Sequence, residues 1–144
     1  MILIIISSVV FLDQATKLFA VKFLQLNSPL PIVKNFFNLT LVYNRGAAFG
    51  IFQNRLLVFI LISVLAILLV IFNLRNKTNS LIFRVSLSLI LGGAIGNLID
   101  RLRFGFVIDF LDFIVWPVFN IADSCITIAA VLLVWEMLFK KNAA

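Results

Sequence analysis

The chain has 144 residues, of which 63% are hydrophobic and 12% charged, with no histidine and a net charge of +6. Soluble domains average about 25% charged residues, so this composition argues against a water-soluble fold and favours one membrane-embedded domain over residues 1–144. The lack of histidine excludes a Ser-His-Asp triad, a Cys-His pair and a histidine-ligated zinc site. The basic residues are expected to face anionic lipid headgroups rather than nucleic acid.

Four segments are long enough to cross a bilayer, which needs roughly 20 apolar residues. The first lacks the positive n-region and the small-residue cleavage site of a signal peptide, so we expect a retained span. Residues 38–44 are partly alternating and prone to β-structure, and residues 45–52 mix small and aromatic side chains. They predict a short sheet and an amphipathic segment on the outer leaflet. The predicted spans cover residues 2–20, 56–74, 81–99 and 119–139, with a long loop at 21–55.

Basic residues near the spans predict the orientation. The link from Arg75 to Ser80 and the tail with Lys140 and Lys141 lie on one side of a four-span up-down bundle. The positive-inside rule makes that side cytoplasmic, with both termini inside, although the opposite loops also carry basic residues. The predicted fold is therefore an all-α membrane protein with four transmembrane helices and a small extracytoplasmic β-containing loop on the outer leaflet.

All five aspartates converge on one leaflet in this arrangement. An acid within the membrane is costly and is a functional hypothesis by default. At 1.5 Å per residue, the first acid lies about 10 Å below the outer end of span one. The others lie at the exit of span three, in the loop after it and in the first turns of span four. They are Asp13, Asp100, Asp109, Asp112 and Asp123.

Helical spacing gives spans three and four a polar face each. Asn97 and Arg101 share one face, and Asn120 and Asp123 share another, which Thr127 continues. A Gly-xxx-Gly at residues 92 and 96 allows span three to approach a neighbour closely. Two nearby carboxylates in a poorly solvated site share one proton and titrate as a unit. The ionised one can activate water while the protonated one polarises a carbonyl, which is the chemistry of an aspartic protease.

Structural roles are the alternative for each of these side chains. Asp109 is able to cap a turn and Asp123 to N-cap span four. Asp13 is able to form a simple i, i+4 pair with Lys17. Structural or interfacial roles are the favoured interpretation for Asp100 and Asp112.

Two alternative function classes remain open at this point. Clustered intramembrane acids also suit a proton or cation carrier, but a carrier needs polar groups spaced across the bilayer. Span two offers Ser63 and, at its end, Asn73. A non-catalytic scaffold would not need the acids to converge. The single cysteine, Cys125, is interpreted as a small buried hydrophobe.

Four motifs in order along the chain resemble those of the lipoprotein signal peptidase (signal peptidase II) family. The resemblance covers nearly the whole chain, and each motif lies where the family places it relative to the spans. The motifs are Asp13-Gln-Ala-Thr-Lys17, Asn44-Arg-Gly-Ala-Ala-Phe-Gly50, Gly92-Gly-Ala-Ile-Gly-Asn-Leu-Ile-Asp-Arg101 with Gly105-Phe-Val-Ile-Asp-Phe110, and Phe119-Asn-Ile-Ala-Asp-Ser124.

The resemblance implies that Asp109 and Asp123 are the catalytic pair of a bacterial inner-membrane enzyme without cofactor or metal. The implied substrate is a prolipoprotein whose cysteine carries diacylglycerol, cut just before that cysteine. We expect a monomer whose partners are this substrate and membrane lipid, with its active site near the outer leaflet. Supporting or substrate-binding roles are implied for Asp13, Asn44, Gly93, Asn97, Arg101 and Asn120.

Overall fold

The computed structural model describes residues 1–46, 55–75 and 80–139. Within these ranges, four helices are long and apolar enough to cross a membrane, and three short strands form one antiparallel sheet. The predicted fold class is thereby confirmed. The elements in chain order are α1 (Ile2–Phe23), β1 (Leu30–Val33), β2 (Phe37–Asn44), α2 (Leu56–Leu74), α3 (Leu81–Phe104), β3 (Val107–Asp112) and α4 (Ile121–Phe139).

The helix ends follow the apolar segments closely, with one notable extension. α2 begins and ends where predicted, whereas α3 continues beyond residue 99 through a polar turn to Phe104. It ends at Gly105, whose φ of 78° is the left-handed conformation that commonly terminates a helix. The extension matters because it keeps Asp100 and Arg101 on the regular helical face that also carries Asn97.

Helix α3 is the centre of the bundle and packs against α1, α2 and α4. Glycines allow α3 to approach α1 and α4 closely. A Cβ on Gly92 would lie 2.7 Å from the Cβ of Val9 in α1, and a Cβ on Gly93 would lie 2.6 Å from the carbonyl oxygen of Ala122 in α4. The glycines therefore determine how closely α3 packs against α1 and α4. The outer faces of the helices carry exposed apolar side chains, as lipid contact requires.

The sheet lies at the end of the bundle where α1 and α3 end and α4 begins. Its order is β1-β2-β3, and Val42 of β2 is opposite Asp109 of β3. The buried side chains of Leu41, Ile108 and Phe110 pack with Ala20 near the end of α1. The predicted sheet in the loop after α1 is present as β1 and β2.

The prediction that Asp109 and Asp112 lie in a loop is wrong, because both belong to β3. The strand forms by pairing with β2, which is distant in the sequence. Asn44 of β2 and Asp109 of β3 are more than 60 residues apart. The alternation of apolar and polar residues within this segment does not predict the strand. From residue 47 onward, the predicted amphipathic segment at residues 45–52 lies outside the described residues. Residues 76–79, Lys140 and Lys141, on which the predicted orientation depends, also lie outside them.

Candidate active site

A cavity of about 240 Å³ opens between the sheet, α3 and α4. Five of the predicted site residues line it, and they come from β2, α3, β3 and α4. They are Asn44, Asn97, Arg101, Asp109 and Asp123, together with Val107, Trp116, Pro117, Val118, Phe119 and Thr127. Both predicted catalytic carboxylates therefore face one space, which is bounded by apolar side chains.

Asp109 is 1% exposed and is held by two side-chain amides. Asn120 Nδ2 donates to its Oδ1 at 2.6 Å, and Asn44 Nδ2 donates to its Oδ2 at 2.9 Å. Burial and the negative charge of Asp123 raise the pKa of Asp109 to about 7, against the opposing effects of the two amides and of Lys17. This carboxyl group therefore titrates near neutrality rather than near its usual pKa of 3.8.

Asp123 lies in the first turn of α4, and its Oδ1 accepts a hydrogen bond from Asn97 Nδ2 at 2.7 Å. The residue that caps the helix is Asn120, whose Oδ1 accepts the backbone N–H of Asp123 at 2.9 Å. The interpretation of Asp123 as the N-cap is therefore wrong. Because Asn120 performs that structural role, the carboxylate of Asp123 is left to face the cavity.

The two carboxylates are joined through the amides of Asn97 and Asn120. Asn120 Nδ2, which donates to Asp109, also lies 3.1 Å from Asn97 Oδ1, and Asn97 donates in turn to Asp123. Asn120 is fully buried behind the cavity rather than lining it. The arrangement places two acids on opposite ends of a short hydrogen-bonded chain, where their charges repel each other.

Lys17 is the main residue of this region that the set of predicted site residues did not include. Its side chain is 2% exposed, and its Nζ lies 2.8 Å from Asp13 Oδ2, 2.9 Å from Asp100 Oδ2 and 2.9 Å from Asn97 Oδ1. An ammonium group has three hydrogens, and each has an acceptor here. The spacing to Asp13 was visible in the sequence, whereas the partners on α3 are about 80 residues away.

Asp13 and Asp100 serve this buried lysine and the backbone around it. Asp13 Oδ1 accepts the backbone N–H of Ala122 at 3.0 Å, which joins α1 to the start of α4. Asp100 Oδ2 accepts the backbone N–H of Ile108 at 3.1 Å, which joins α3 to β3. The i, i+4 pair of Asp13 and Lys17 exists, but it is one part of a network that spans three helices.

The remaining predicted residues have distinct positions. Arg101 lines the cavity, and its guanidinium lies 5.3 Å from the ring centroid of Phe59 in α2. Gly93 lies at the contact of α3 with α4 and does not line the cavity. Asp112 bonds to Thr40 Oγ1 at 2.6 Å and to the N–H of Ile114, away from the cavity. Cys125 is a half-buried free thiol in α4, so it is less buried than predicted.

Comparison with known proteins gives a consistent result. The family model for signal peptidase (SPase) II matches residues 5–139. The chain is 48% identical to a lipoprotein signal peptidase of Caldanaerobacter subterraneus subsp. tengcongensis over 97% of both chains. It is 46% identical to one of Halothermothrix orenii over 93% of this chain and 92% of that one. A solved bacterial membrane enzyme superposes with a TM-score of 0.91 at 30% identity, covering 99% of this chain and 92% of its own.

Proposed function

Because the chain belongs to the signal peptidase II family, we propose that it cleaves signal peptides from lipoprotein precursors with Asp109 and Asp123 as its catalytic pair. Lipoprotein signal peptidase activity follows from the family, and four spanning helices make the chain a multi-pass membrane protein. The proposal adds an aspartic mechanism, the residues that perform it and the position of the cut bond.

The observation that carries the proposal is the shared cavity of the two carboxylates. Both are substantially buried, they come from different elements, and hydrogen bonds from asparagines hold both in place. Asp109 has a pKa of about 7, in part because Asp123 is negative, so a pair with a single proton is its natural state near neutral pH. A pair with one proton holds a general base and a general acid at the same time.

The proposed reaction proceeds through a tetrahedral intermediate. The ionised carboxylate takes a proton from a water molecule, whose oxygen forms a bond to the scissile carbonyl carbon. The protonated carboxyl gives its proton to the carbonyl oxygen, which yields a neutral gem-diol. Collapse breaks the C–N bond as the leaving nitrogen takes a proton from one carboxyl group and the other carboxylate recovers a proton from the diol. The pair thus returns to its single-proton state.

The surrounding polar residues have separate roles in this proposal. Asn44, Asn97 and Asn120 orient the two carboxylates through the hydrogen bonds described above. Arg101 lines the same cavity and provides a positive charge, which favours retention of one ionised carboxylate and is available to a substrate carbonyl oxygen. Asp13 ties α1 to the backbone from which Asp123 projects, and Gly93 allows α3 to lie against that same backbone.

The proposed substrate is a prolipoprotein whose cysteine carries diacylglycerol, cut just before that cysteine. The site lies at one end of the bundle, where acyl chains in the adjacent leaflet would hold the bond at a fixed depth. We propose that this end faces outward from the bacterial inner membrane, with both termini cytoplasmic, and that the protein acts as a monomer without cofactor or metal.

The direct test is cleavage of a diacylglyceryl-modified lipobox peptide by purified protein in detergent or nanodiscs. Asp109→Asn and Asp123→Asn should each reduce kcat by more than about a thousandfold, because an amide supplies neither an ionised base nor a transferable proton. Asp112→Asn is the matched control, since Asp112 lies on the same strand outside the cavity, and it should keep most activity.

Substantial cleavage by either the Asp109→Asn or the Asp123→Asn enzyme would contradict the assignment of the pair. Proteoliposomes containing the same proteins separate this proposal from a carrier function. Proton or cation flux that depends on both acids, without peptide cleavage, would replace the peptidase proposal with that of a carrier.

A further inference from the structure

We propose that Lys17 is a positioning residue of the catalytic pair, acting through Asn97 on Asp123. This inference rests on the function proposed above. It concerns a buried cation that does not line the cavity shared by the two carboxylates and lines a separate, smaller cavity of about 110 Å³. Its effect must therefore pass through a neighbouring side chain.

The geometry fixes which way the Asn97 amide faces. An ammonium group only donates hydrogen bonds, so the atom of Asn97 that lies 2.9 Å from Lys17 Nζ must be the oxygen. The nitrogen of the same amide then faces Asp123 Oδ1, to which it donates at 2.7 Å. Asn120 Nδ2 also approaches the Asn97 oxygen, at 3.1 Å, but the bond from the lysine is shorter and charge-assisted.

Asp13 and Asp100 hold the lysine itself in place. They lie on α1 and α3, and each contacts Nζ within 2.9 Å, so the ammonium cannot turn away from Asn97 without leaving one carboxylate unpaired. Leaving a buried charge without a partner is strongly unfavourable, which makes such a movement rare. The lysine is thus a fixed donor rather than a mobile one.

Lys17 also supplies positive charge close to a group of acids. Charged side chains from four elements surround Lys17 and the two carboxylates. They are Asp13 on α1, Asp100, Arg101 and Arg103 on α3, Asp109 on β3 and Asp123 on α4. The positive charge of Lys17 lowers the pKa of Asp109 against the larger effects that raise it. Removing this charge would therefore make the pair hold its proton to higher pH.

The test is Lys17→Met, a variant of similar length that removes both the charge and the donor. We expect kcat to fall by about tenfold to hundredfold with KM little changed, because the substrate contacts remain while the geometry of Asp123 is loosened. Both limbs of the pH profile of kcat/KM should move upward by about one pH unit. Lys22→Met, at an exposed lysine of the same helix, should change neither measurement.

A charge-compensated variant separates orientation from electrostatics and guards against misfolding. Lys17→Met/Asp100→Asn removes one positive and one negative charge, so the limbs of its pH profile should return toward those of the unmodified protein. Its kcat should stay low, because the oxygen of Asn97 still lacks its charge-assisted donor and keeps only the longer bond from Asn120. Thermal unfolding of each variant in detergent identifies a loss of activity that reflects unfolding.

The outcomes distinguish this inference from the proposed function. If Asp109→Asn or Asp123→Asn remains active, the catalytic pair itself is wrong. If those variants are inactive while folded Lys17→Met and the double variant keep full kcat and unmoved pH limbs, the pair stands and Lys17 has no positioning role. A double variant that recovers full kcat would show that charge alone matters, which also overturns the inference.

Discussion

Three asparagines determine where the two carboxylates point, and each has its amide orientation set by an unambiguous partner. The oxygen of Asn44 accepts the N–H of Gly46, the oxygen of Asn120 accepts the N–H of Asp123, and the oxygen of Asn97 accepts from Lys17. A backbone N–H and an ammonium are donors only. Every amide nitrogen is therefore directed to a carboxylate, and none of the three asparagines is free to rotate.

The shared proton leads to a prediction about pH. Because Asp109 has a pKa of about 7, raised by burial and by the charge of Asp123, the pair loses its last proton as the pH rises through about 7. The proposed mechanism needs that proton, so kcat/KM should fall above this value, by about tenfold for each further pH unit. The measurement is initial cleavage rate at low substrate across a pH series.

Two observations control this prediction. The Asp112→Asn enzyme should show the same alkaline limb, because Asp112 titrates outside the cavity. A value of kcat/KM that stays constant from about pH 6 to pH 9 would mean that the pair does not use a proton that is lost near neutrality.

At the scale of elements, the helices were largely predictable and the strand that carries Asp109 was not. The ends of α2 match the prediction because Arg55 and Arg75 flank an uninterrupted apolar run. The segment that forms β3, residues 107–112, has four buried residues in succession and so lacks the alternation of a half-exposed strand. Its pairing with β2 depends on contacts that are distant in the sequence, and a short segment does not specify them.

In the candidate site too, some features are predictable from the sequence and others are not. Residue types and helical spacing identified Asn97, Arg101, Asn120 and Asp123 as two polar faces, and the structure brings these faces together. The sequence indicates Asp13 as a partner of Lys17, because the two residues are four positions apart on one helix. It does not indicate Asp100, because a contact between α1 and α3 depends on how the helices pack. Network partners of this kind emerge only when the helices are packed.

The contact between α3 and α4 leads to a prediction about Gly93. A methyl group there would lie 2.6 Å from the carbonyl oxygen of Ala122 and 2.8 Å from Ile126 Cγ1. Because a backbone atom cannot move aside cheaply, Gly93→Ala should lower the free energy of unfolding by about 1–3 kcal/mol. It should also lower activity, since Ala122 precedes Asp123. Unfolding in mixed detergent micelles measures the first effect.

Leu102→Ala is the matched control on the same helix. Its side chain is 65% exposed, so its loss removes little packing within the protein. Equal destabilisation by the two substitutions would indicate that the approach of α3 to α4 does not depend on a residue without a side chain at position 93.

At the scale of the whole molecule, the acidic side chains are divided unequally between the two ends of the bundle. Asp100, Asp109, Asp112 and Asp123 lie at the end of the bundle that carries the sheet. Asp13 lies on the face of α1 that contacts the start of α4. At the other end, Glu136 of α4 bonds to the hydroxyl of Ser80, which caps α3. A cluster at one end suits a reaction at one membrane surface and does not provide a path across the bilayer.

This asymmetry leads to a prediction about substrate selectivity. A diacylglyceryl group embedded in the leaflet next to the sheet can move laterally to the bundle and carry the attached cysteine to the pair. Each buried methylene contributes about 0.8 kcal/mol, so two acyl chains can supply much of the binding and fix the depth of the scissile bond. A lipobox peptide without lipid should therefore have a kcat/KM at least about tenfold lower, which corresponds to roughly 1.4 kcal/mol or more.

The comparison requires both peptides in the same nanodiscs at matched local concentration, because lipidation alone concentrates a substrate at the membrane. Anchoring the unlipidated peptide through a transmembrane segment on its amino-terminal side provides this match. If depth and lateral delivery by the acyl chains position the bond, the anchored peptide still reacts more slowly, and the difference lies partly in kcat. Equal kcat/KM for the two would mean that the lipid serves only to bring substrate to the membrane, and the specificity would then have to reside in the peptide next to the aspartate pair.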